Sequence, residues 1–599
     1  MINFSPLSFH KERVVELEKD LKHLNKKRSR IAWIRLVLAA GTAYLFYRLW
    51  PIDKLYAALS LAVFLAIFLR LVVISLRLKD RALHLQQLLA IHKDEQEWVL
   101  HRFQHRYDGS EWQPEHHAYA RDLDLFGRHS VYQLINRAQS EQGRQLLAKW
   151  LLEPAMEAEV LSRQEAIRSL SLHPDAIYEL QAIGASEQIR IDSQLKLEEW
   201  LAAAFRFRGK AVWSTLRWGF PILSLSALTA HLIGYLPGLY FYPALILFMV
   251  IAFVITKKVM PQYQVLDKMT VQLKTLLRSA RHVESLQYDA PLLMQYREAF
   301  MGDGSGCSTQ IRQLQRILDR FDYRLNPLVF LPLNTFLLWD LQQVLALERW
   351  KEANQERVSQ WYAALAGMEA LYSLGCLAFN KQHWAFPKLS EAPGVFSGRG
   401  VGHPLIAPEK RVANDFMTEG KPRVSLITGS NMAGKSTFLR SIGINQVLAM
   451  MGAPVCAEEL TVSPMRIMSS MRVTDNLEEN ASTFYAELHQ LKGIIDAVNE
   501  GEQVLVLLDE ILRGTNSNDR HTGSRALIRQ LVEQKATALL ATHDLELAKL
   551  SGQYPEAIRN YHFDVQVAGE ELYFDYRLKP GVCTSMNASI LMKKIGIDL

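Results

Sequence analysis

Val424-Ser-Leu-Ile-Thr428 runs into Gly429-Ser-Asn-Met-Ala-Gly-Lys-Ser436, and Phe438-Leu-Arg-Ser-Ile follows with helical character. A buried strand, a G-x-x-x-x-G-K-S loop and a helix, in that order, form the setting of a phosphate-binding loop. No other feature constrains the fold as much. Such a loop belongs at a strand end of a largely parallel sheet with helices on its faces. Its glycines let backbone N–H groups converge on phosphate oxygens, and the helix N-terminus adds its dipole. Lys435 should reach the β- and γ-phosphates and Ser436 should hold Mg²⁺.

Two further strands complete the expected chemistry. Val504-Leu-Val-Leu-Leu508 is wholly apolar and ends in Asp509-Glu510. Asp509 is placed to bind Mg²⁺ and Glu510 to orient or deprotonate an attacking water. A third strand, Thr537 to Thr542, ends at His543. There a histidine can sense a γ-phosphate by hydrogen bonding.

Four apolar runs precede this region: Ile31–Trp50, Tyr56–Leu76, Trp218–Leu236 and Leu239–Thr256. Each is near the ~20 residues that cross a hydrocarbon core. Short links at Pro51-Ile-Asp-Lys54 and Pro237-Gly238 pair them into two helical hairpins. Lys26, Lys27, Arg28 and Arg30 precede the first run, and Arg77, Lys79 and Arg81 follow the second. Arg206, Arg208, Lys210, Arg217, Lys257 and Lys258 flank the other pair. Positive flanks favour the cytosolic side. The expectation is a four-span membrane protein with both termini and the phosphate-loop domain in the cytosol, and the lipid bilayer as a partner. The polar stretch before the first run carries Val14, Leu17, Leu21 and Leu24 at helical spacing. It does not read as a cleaved signal peptide.

Composition is that of a folded chain, 49% hydrophobic and 22% charged, which excludes disorder as the main state. Net charge is +6, compatible with nucleic acid or an anionic membrane surface without demanding either. Cys307, Cys376, Cys456 and Cys583 lack metal-ligand spacing and read as reduced, buried thiols. Asn-x-Ser matches at Asn480 and Asn587 fall within the expected cytosolic domain and are discounted as glycosylation sites.

In detail the motifs resemble the MutS DNA mismatch-repair family. Thr428-Gly-Ser-Asn-Met-Ala-Gly-Lys-Ser-Thr437 is similar to that family's phosphate loop, and Ser482-Thr-Phe with Glu487 to its Ser-Thr-Phe motif. Asp509-Glu-Ile-Leu-Arg-Gly-Thr515, Ala541-Thr-His-Asp-Leu-Glu-Leu547 and Asn560-Tyr-His-Phe563 resemble its acidic motif, histidine switch and a later strand. More weakly, Leu123–Gly127, Gly143-Arg144, Trp150–Pro154, Arg163–Ile167 and Met368–Pro387 resemble its helical core. The likeness covers about 122–200 and 266–599, so the second hairpin interrupts that core.

The resemblance implies an ATPase using ATP and Mg²⁺. Its ATP-binding residues would be Gly429, Ser430, Asn431, Met432, Ala433, Gly434, Lys435, Ser436 and Thr437. Ser436 and Asp509 would hold the metal, and Glu510 and His543 would be catalytic. It also implies a homodimer through the ATPase domains, in which Ser482 of one subunit approaches the γ-phosphate held by the other, and DNA as a partner. The expected fold class is an α/β phosphate-loop domain of MutS type over 396–599. It follows an all-α core or lever over 111–395, interrupted by the second hairpin, and an N-terminal unit over 1–110 carrying the first.

Several positions depart from the family. The first hairpin stands where the mismatch-reading domain would lie, and no phenylalanine–x–glutamate wedge occurs there. Leu512 replaces a glycine, Asn480 stands where a glycine often precedes Ser-Thr-Phe, and Ser585-Met-Asn replaces a Ser-Tyr-Gly. The helical dimerisation extension of many relatives is not found after the last motif. The leading expectation is a membrane-anchored, MutS-like ATPase that switches a dimeric clamp on DNA. The alternatives are a nucleotide-driven membrane scaffold without DNA binding and an ABC-type transporter. Against the transporter, its Leu-Ser-Gly-Gly-Gln-like signature should precede the acidic motif, whereas Leu550-Ser-Gly-Gln553 follows His543.

Overall fold

The computed structural model describes residues 5–302, 304–419, 424–430, 432–472, 483–568 and 571–583. Its N-terminal part is helical. Helix Pro6–Leu49 starts on a proline, which lacks only an N–H that the first turn leaves unbonded anyway. The polar stretch and the first apolar run therefore lie in one continuous helix. Helix Lys54–Val99 begins at Asp53, whose carboxylate accepts from Leu55 N at 2.7 Å. The two pack along each other, and Arg35 lies over the Phe68 ring at 5.0 Å. Their distal halves expose apolar side chains, with Trp33 65% and Tyr47 76% accessible.

The second hairpin is Ala211–Leu232 with Gly238–Asp267. Its first helix stops four residues short of Leu236, because Gly234 turns the chain at φ 85°. By length and composition three described helices can cross a membrane: Lys54–Val99, Gly238–Asp267 and Val358–Asn380. The last is packed inside protein, with 89% of its apolar window buried. Helices Pro6–Leu49 and Ala211–Leu232, the partners in the two hairpins, are not apolar enough to qualify alone.

A third element joins the second hairpin and was not legible in the sequence. Helix Pro327–Leu337 packs on both hairpin helices and exposes Leu328 and Leu331. At Leu338, φ 47°, the chain bends by 79° into helix Trp339–Asn354. Eleven residues with an internal Pro332 are too short to read as a span. Buried Asp340 fixes the break: it accepts from Arg324 Nη2 at 2.9 Å and Thr256 Oγ1 at 2.7 Å. Asn334 donates to the same Thr256 oxygen at 2.9 Å.

The base of the first hairpin is tied to the helical core by buried polar groups. Glu95 accepts from Arg137 Nε at 2.6 Å, Arg106 Nη2 at 3.0 Å and Asn380 Nδ2 at 2.8 Å. His10 and His92 meet through their Nδ1 atoms at 3.0 Å, and His10 Nε2 lies 3.0 Å from Asn380 Oδ1. Helix Val358–Asn380, which carries Asn380 and Glu369, is buried over nearly its whole length.

The C-terminal part is α/β. Its strands are β1 (Lys388–Leu389), β2 (Val395–Val401), β3 (Asn414–Glu419), β4 (Val424–Thr428) and β5 (Glu459–Val462). They continue with β6 (Arg466–Ser470), β7 (Val504–Asp509), β8 (Thr537–Thr542), β9 (Ile558–Ala568) and β10 (Glu571–Pro580). A six-stranded sheet runs β10-β9-β4-β8-β7-β6, parallel except for the β9/β10 hairpin. The strands β4, β7 and β8 are buried at every residue, as continuous apolar runs in a covered parallel sheet should be. A second sheet runs β1-β5-β2-β3, so sheet structure begins at Lys388, slightly before the expected boundary at 396.

The two parts share one apolar core. Asp122 caps the β6 end, accepting from Ser469 Oγ at 2.7 Å, Met471 N at 3.1 Å and Arg472 N at 3.0 Å. Leu123 lies against Gly443 of helix Lys435–Met450, where a Cβ would come within 2.7 Å of it. All four cysteines are buried.

Candidate active site

The strand register sets the site. Thr428 of β4 lies level with Thr542 of β8 and His562 of β9, and Asp509 of β7 with Ala541 of β8. One residue further on, Gly429, Glu510 and His543 leave the sheet along the same C-terminal edge, where open α/β sheets bind ligands. The structure thus brings together the glycine loop, the acidic pair and the histidine. Asn431 and Ser482 lie outside the described residues, as do Asn480 and Ser585-Met-Asn587.

Gly429 has φ 143°, and a Cβ there would stand 2.8 Å from the Phe563 carbonyl oxygen. Backbone cannot give way as a side-chain tip can. Gly429→Ala is therefore expected to lower the thermal unfolding midpoint and loosen the loop; an unchanged midpoint would show that β9 can retreat. Gly434, φ 99°, caps helix Lys435–Met450 in the left-handed region. Met432 and Thr437 are exposed, Ala433 is buried, and Ser436 is half-buried in the first helical turn.

Lys435 is buried and donates to the carbonyls of Gly429 at 2.6 Å and Ser430 at 3.0 Å. Burial brings its ammonium down to about 8, against the pull of Glu510 and Asp509. A lysine so desolvated gains from an arriving polyanion. The His543 Nδ1 lies 3.0 Å from Gly429 O, and its Nε2 pairs with Glu510 Oε1. The Glu510 Oε2 atom is met by Arg513 Nη2 at 3.1 Å. The hydrogen bond from His543, outweighing burial, holds the Glu510 carboxyl below its usual range. Asp509 Oδ1 and Ser430 Oγ are buried without a hydrogen-bond partner. A buried orphan carboxylate oxygen is the kind of ligand a hard divalent cation takes.

Three contributors were given no role from sequence, although Glu487 and Arg513 lie in motifs quoted there. Arg513 engages Glu510 three residues on, a spacing visible once the acidic strand end is placed. Glu487 accepts from Leu512 N, and burial pushes its carboxyl up. Leu512 has φ 61°, so the leucine that stands at a family glycine occupies left-handed backbone, at a cost of order 1–3 kcal/mol. Tyr576 comes from a bulge in β10, held by Asn414, which donates to Tyr576 O at 3.0 Å and accepts from Leu578 N at 2.8 Å. Its ring lies 3.0 Å from the Cβ position of Gly434. Nothing local to Tyr576 signals this; the hairpin pairing makes the contact.

These features define an α/β domain in which a glycine loop and acidic and histidine strand ends share one sheet edge. The family model for MutS domain V matches residues 425–595. Over 233 residues, 38% of this chain, the sequence is 31% identical to the DNA mismatch repair protein MutS of Natronomonas pharaonis. It is 30% identical over 227 residues to that of Thermotoga petrophila and 35% over 196 to human MutS protein homolog 4, or 37% and 31% of this chain. This C-terminal segment is thus similar to the MutS proteins. The matched stretches span only 26%, 28% and 20% of those three relatives.

Proposed function

We propose that the protein is a membrane-anchored, Mg²⁺-dependent ATPase whose nucleotide cycle switches a dimeric clamp on DNA. One observation carries the ATPase reading: Lys435, Asp509, Glu510 and His543 converge on one sheet edge beside the glycine loop. Lys435 and the loop N–H groups would bind the β- and γ-phosphates. Ser436 and Asp509 would hold Mg²⁺, which neutralises phosphate charge when bound. Glu510 has both oxygens engaged, by His543 and Arg513, so it is not free to take a proton from water. A γ-phosphate would compete for these two partners and release Glu510 as the base. His543 then reports the γ-phosphate to β8, and Ser482 of a second subunit would complete the pocket.

The apolar belts on both hairpins support the membrane reading. Water would solvate poorly the exposed Trp33, Val37, Tyr47, Ile222, Leu239, Ile246 and Phe253. Helix Pro327–Leu337 continues the second belt and would dip into the same leaflet. Adenine as the base and DNA as the partner rest on the likeness to MutS proteins.

The test is DNA binding by detergent-solubilised protein across a salt series, with and without a non-hydrolysable ATP analogue. Matched, mismatched and branched duplexes are compared. Nucleotide-dependent binding that falls steeply with salt is expected. Protein that hydrolyses ATP yet binds no duplex at low salt would leave the membrane scaffold as the function.

A further inference from the structure

Helices Thr270–Ser285 and Cys307–Phe321 pack antiparallel. Near one end Glu284 accepts from Ser308 N at 2.9 Å, and at the other Tyr263 donates to Asp322 at 2.5 Å. Their inner faces are apolar: Leu273, Leu276, Ala280 and Val283 against Ile311, Leu314, Leu318 and Phe321 are buried. The outer faces carry Lys274, Arg278 and Arg281 on one helix and Arg312, Arg316 and Arg320 on the other, all exposed. None of the six takes part in an ion pair among the described residues. Burial, and next the nearby Arg312, lower the Arg281 guanidinium, so the helices hold like charges close together. Of the acids on the pair, Glu284 is turned to backbone and Asp319 alone stands exposed among the arginines. Like charges assembled without partners are stabilised by an anion that bridges them.

We infer that this double row is a docking strip for the phosphate backbone of duplex DNA. The inference rests on the DNA reading above and gives it a site. Five of the six cations are arginines, whose planar fork matches phosphate oxygens. Apart from Val271 the exposed positions of both helices are polar, so the aromatic anchors common at protein–protein interfaces are lacking. Distance argues against lipid headgroups. Helix Gly238–Asp267 passes Lys258 and continues, and Lys268 and Met269 keep right-handed backbone into the next helix. At 1.5 Å per residue along the path, Lys274 lies up to ~24 Å and Arg281 up to ~35 Å beyond Lys258. A membrane surface potential fades within about 8–10 Å at physiological salt. The far end of the strip, Arg281 and Arg312, is out of its reach and within reach of a duplex lying beside the helices.

The test compares full-length protein with a variant carrying Arg278→Gln, Arg281→Gln, Arg312→Gln and Arg316→Gln, both in neutral-lipid nanodiscs. A fluorescent duplex is titrated across a salt series. Losing four phosphate contacts should flatten the log–log salt slope by about 3–4 and weaken binding more than tenfold at about 0.1 M salt, leaving ATP hydrolysis unchanged. Equal slope and affinity in the variant would remove the strip and leave the DNA reading standing. No duplex binding by the unsubstituted protein would sink both. A variant that binds duplex normally but loses its preference for phosphatidylserine vesicles in flotation would make the strip a headgroup site and overturn the inference. Should the quadruple variant misfold, Arg278→Gln with Arg316→Gln is expected to give about half the slope change.

Discussion

Glu510→Gln is expected to retain ATP and lose turnover by about 10²–10⁴-fold, the range of a positioned general base. Glutamine keeps the shape that Arg513 and His543 hold but cannot accept the proton from water. Nucleotide affinity, which the proposed function assigns to Lys435 and the glycine loop, should change little or rise. Single-turnover hydrolysis and equilibrium nucleotide binding, measured on the same preparation, separate the two effects. Turnover close to normal would remove Glu510 from the chemistry. The same variant also probes the resting hydrogen bonds. His543 would face an amide in place of a carboxylate, so ATP should compete for it more readily.

The second large effect concerns stability. Glu95 is fully buried, and its partners Arg137 and Asn380 come from elsewhere in the core. Glu95→Ala strands the buried Arg137 guanidinium, and loss of one member of such a pair costs about 3–5 kcal/mol. Arg106 keeps Asp94 at 2.5 Å, so the damage should centre on Arg137. Hydrogen exchange at the bases of helices Pro6–Leu49 and Lys54–Val99 is the suitable readout, because a chain of several units has no single unfolding free energy. Adding Arg137→Met should recover much of the loss; if it does not, the pair is not the cause. Burial raises the Glu95 carboxyl, but Arg106 and Arg137 outweigh it and hold it at about 2, below the ordinary 4.5. The folded value is the lower one, so this contribution is complete above about pH 4.5 and is lost as pH falls from there toward 2. Acid-induced loosening of the first hairpin's base in that window is the expected sign.

The candidate site was legible in sequence because its motifs are local patterns. A strand, a glycine loop and a helix are contiguous, so Gly429–Thr437 announced themselves. The strands β7 and β8 are apolar along their whole length because both faces are covered, and each ends on the residue that leaves the sheet. The hairpins were legible for a similar reason, since apolar runs of membrane length need no partner to be recognised. Helix ends were less so: Gly234, through its positive φ, ended the third run before Leu236.

Tertiary structure decided the rest. Whether Val358–Asn380 is a span or a core helix depends on what surrounds it, and composition does not carry that. Helix Pro327–Leu337 joins the second hairpin only because Asp340, Arg324, Asn334 and Thr256 meet from separate segments. Tyr576 reaches the glycine loop through strand pairing across the domain, and Glu95 meets its partners across long separations in the chain. The sequence by itself determined the glycine-loop and acidic strand-end motifs and the apolar belts, because both are written in consecutive residues. The polar junctions and the cationic strip are contacts between distant residues, and only the packing of helices that were each readable alone brings those residues together.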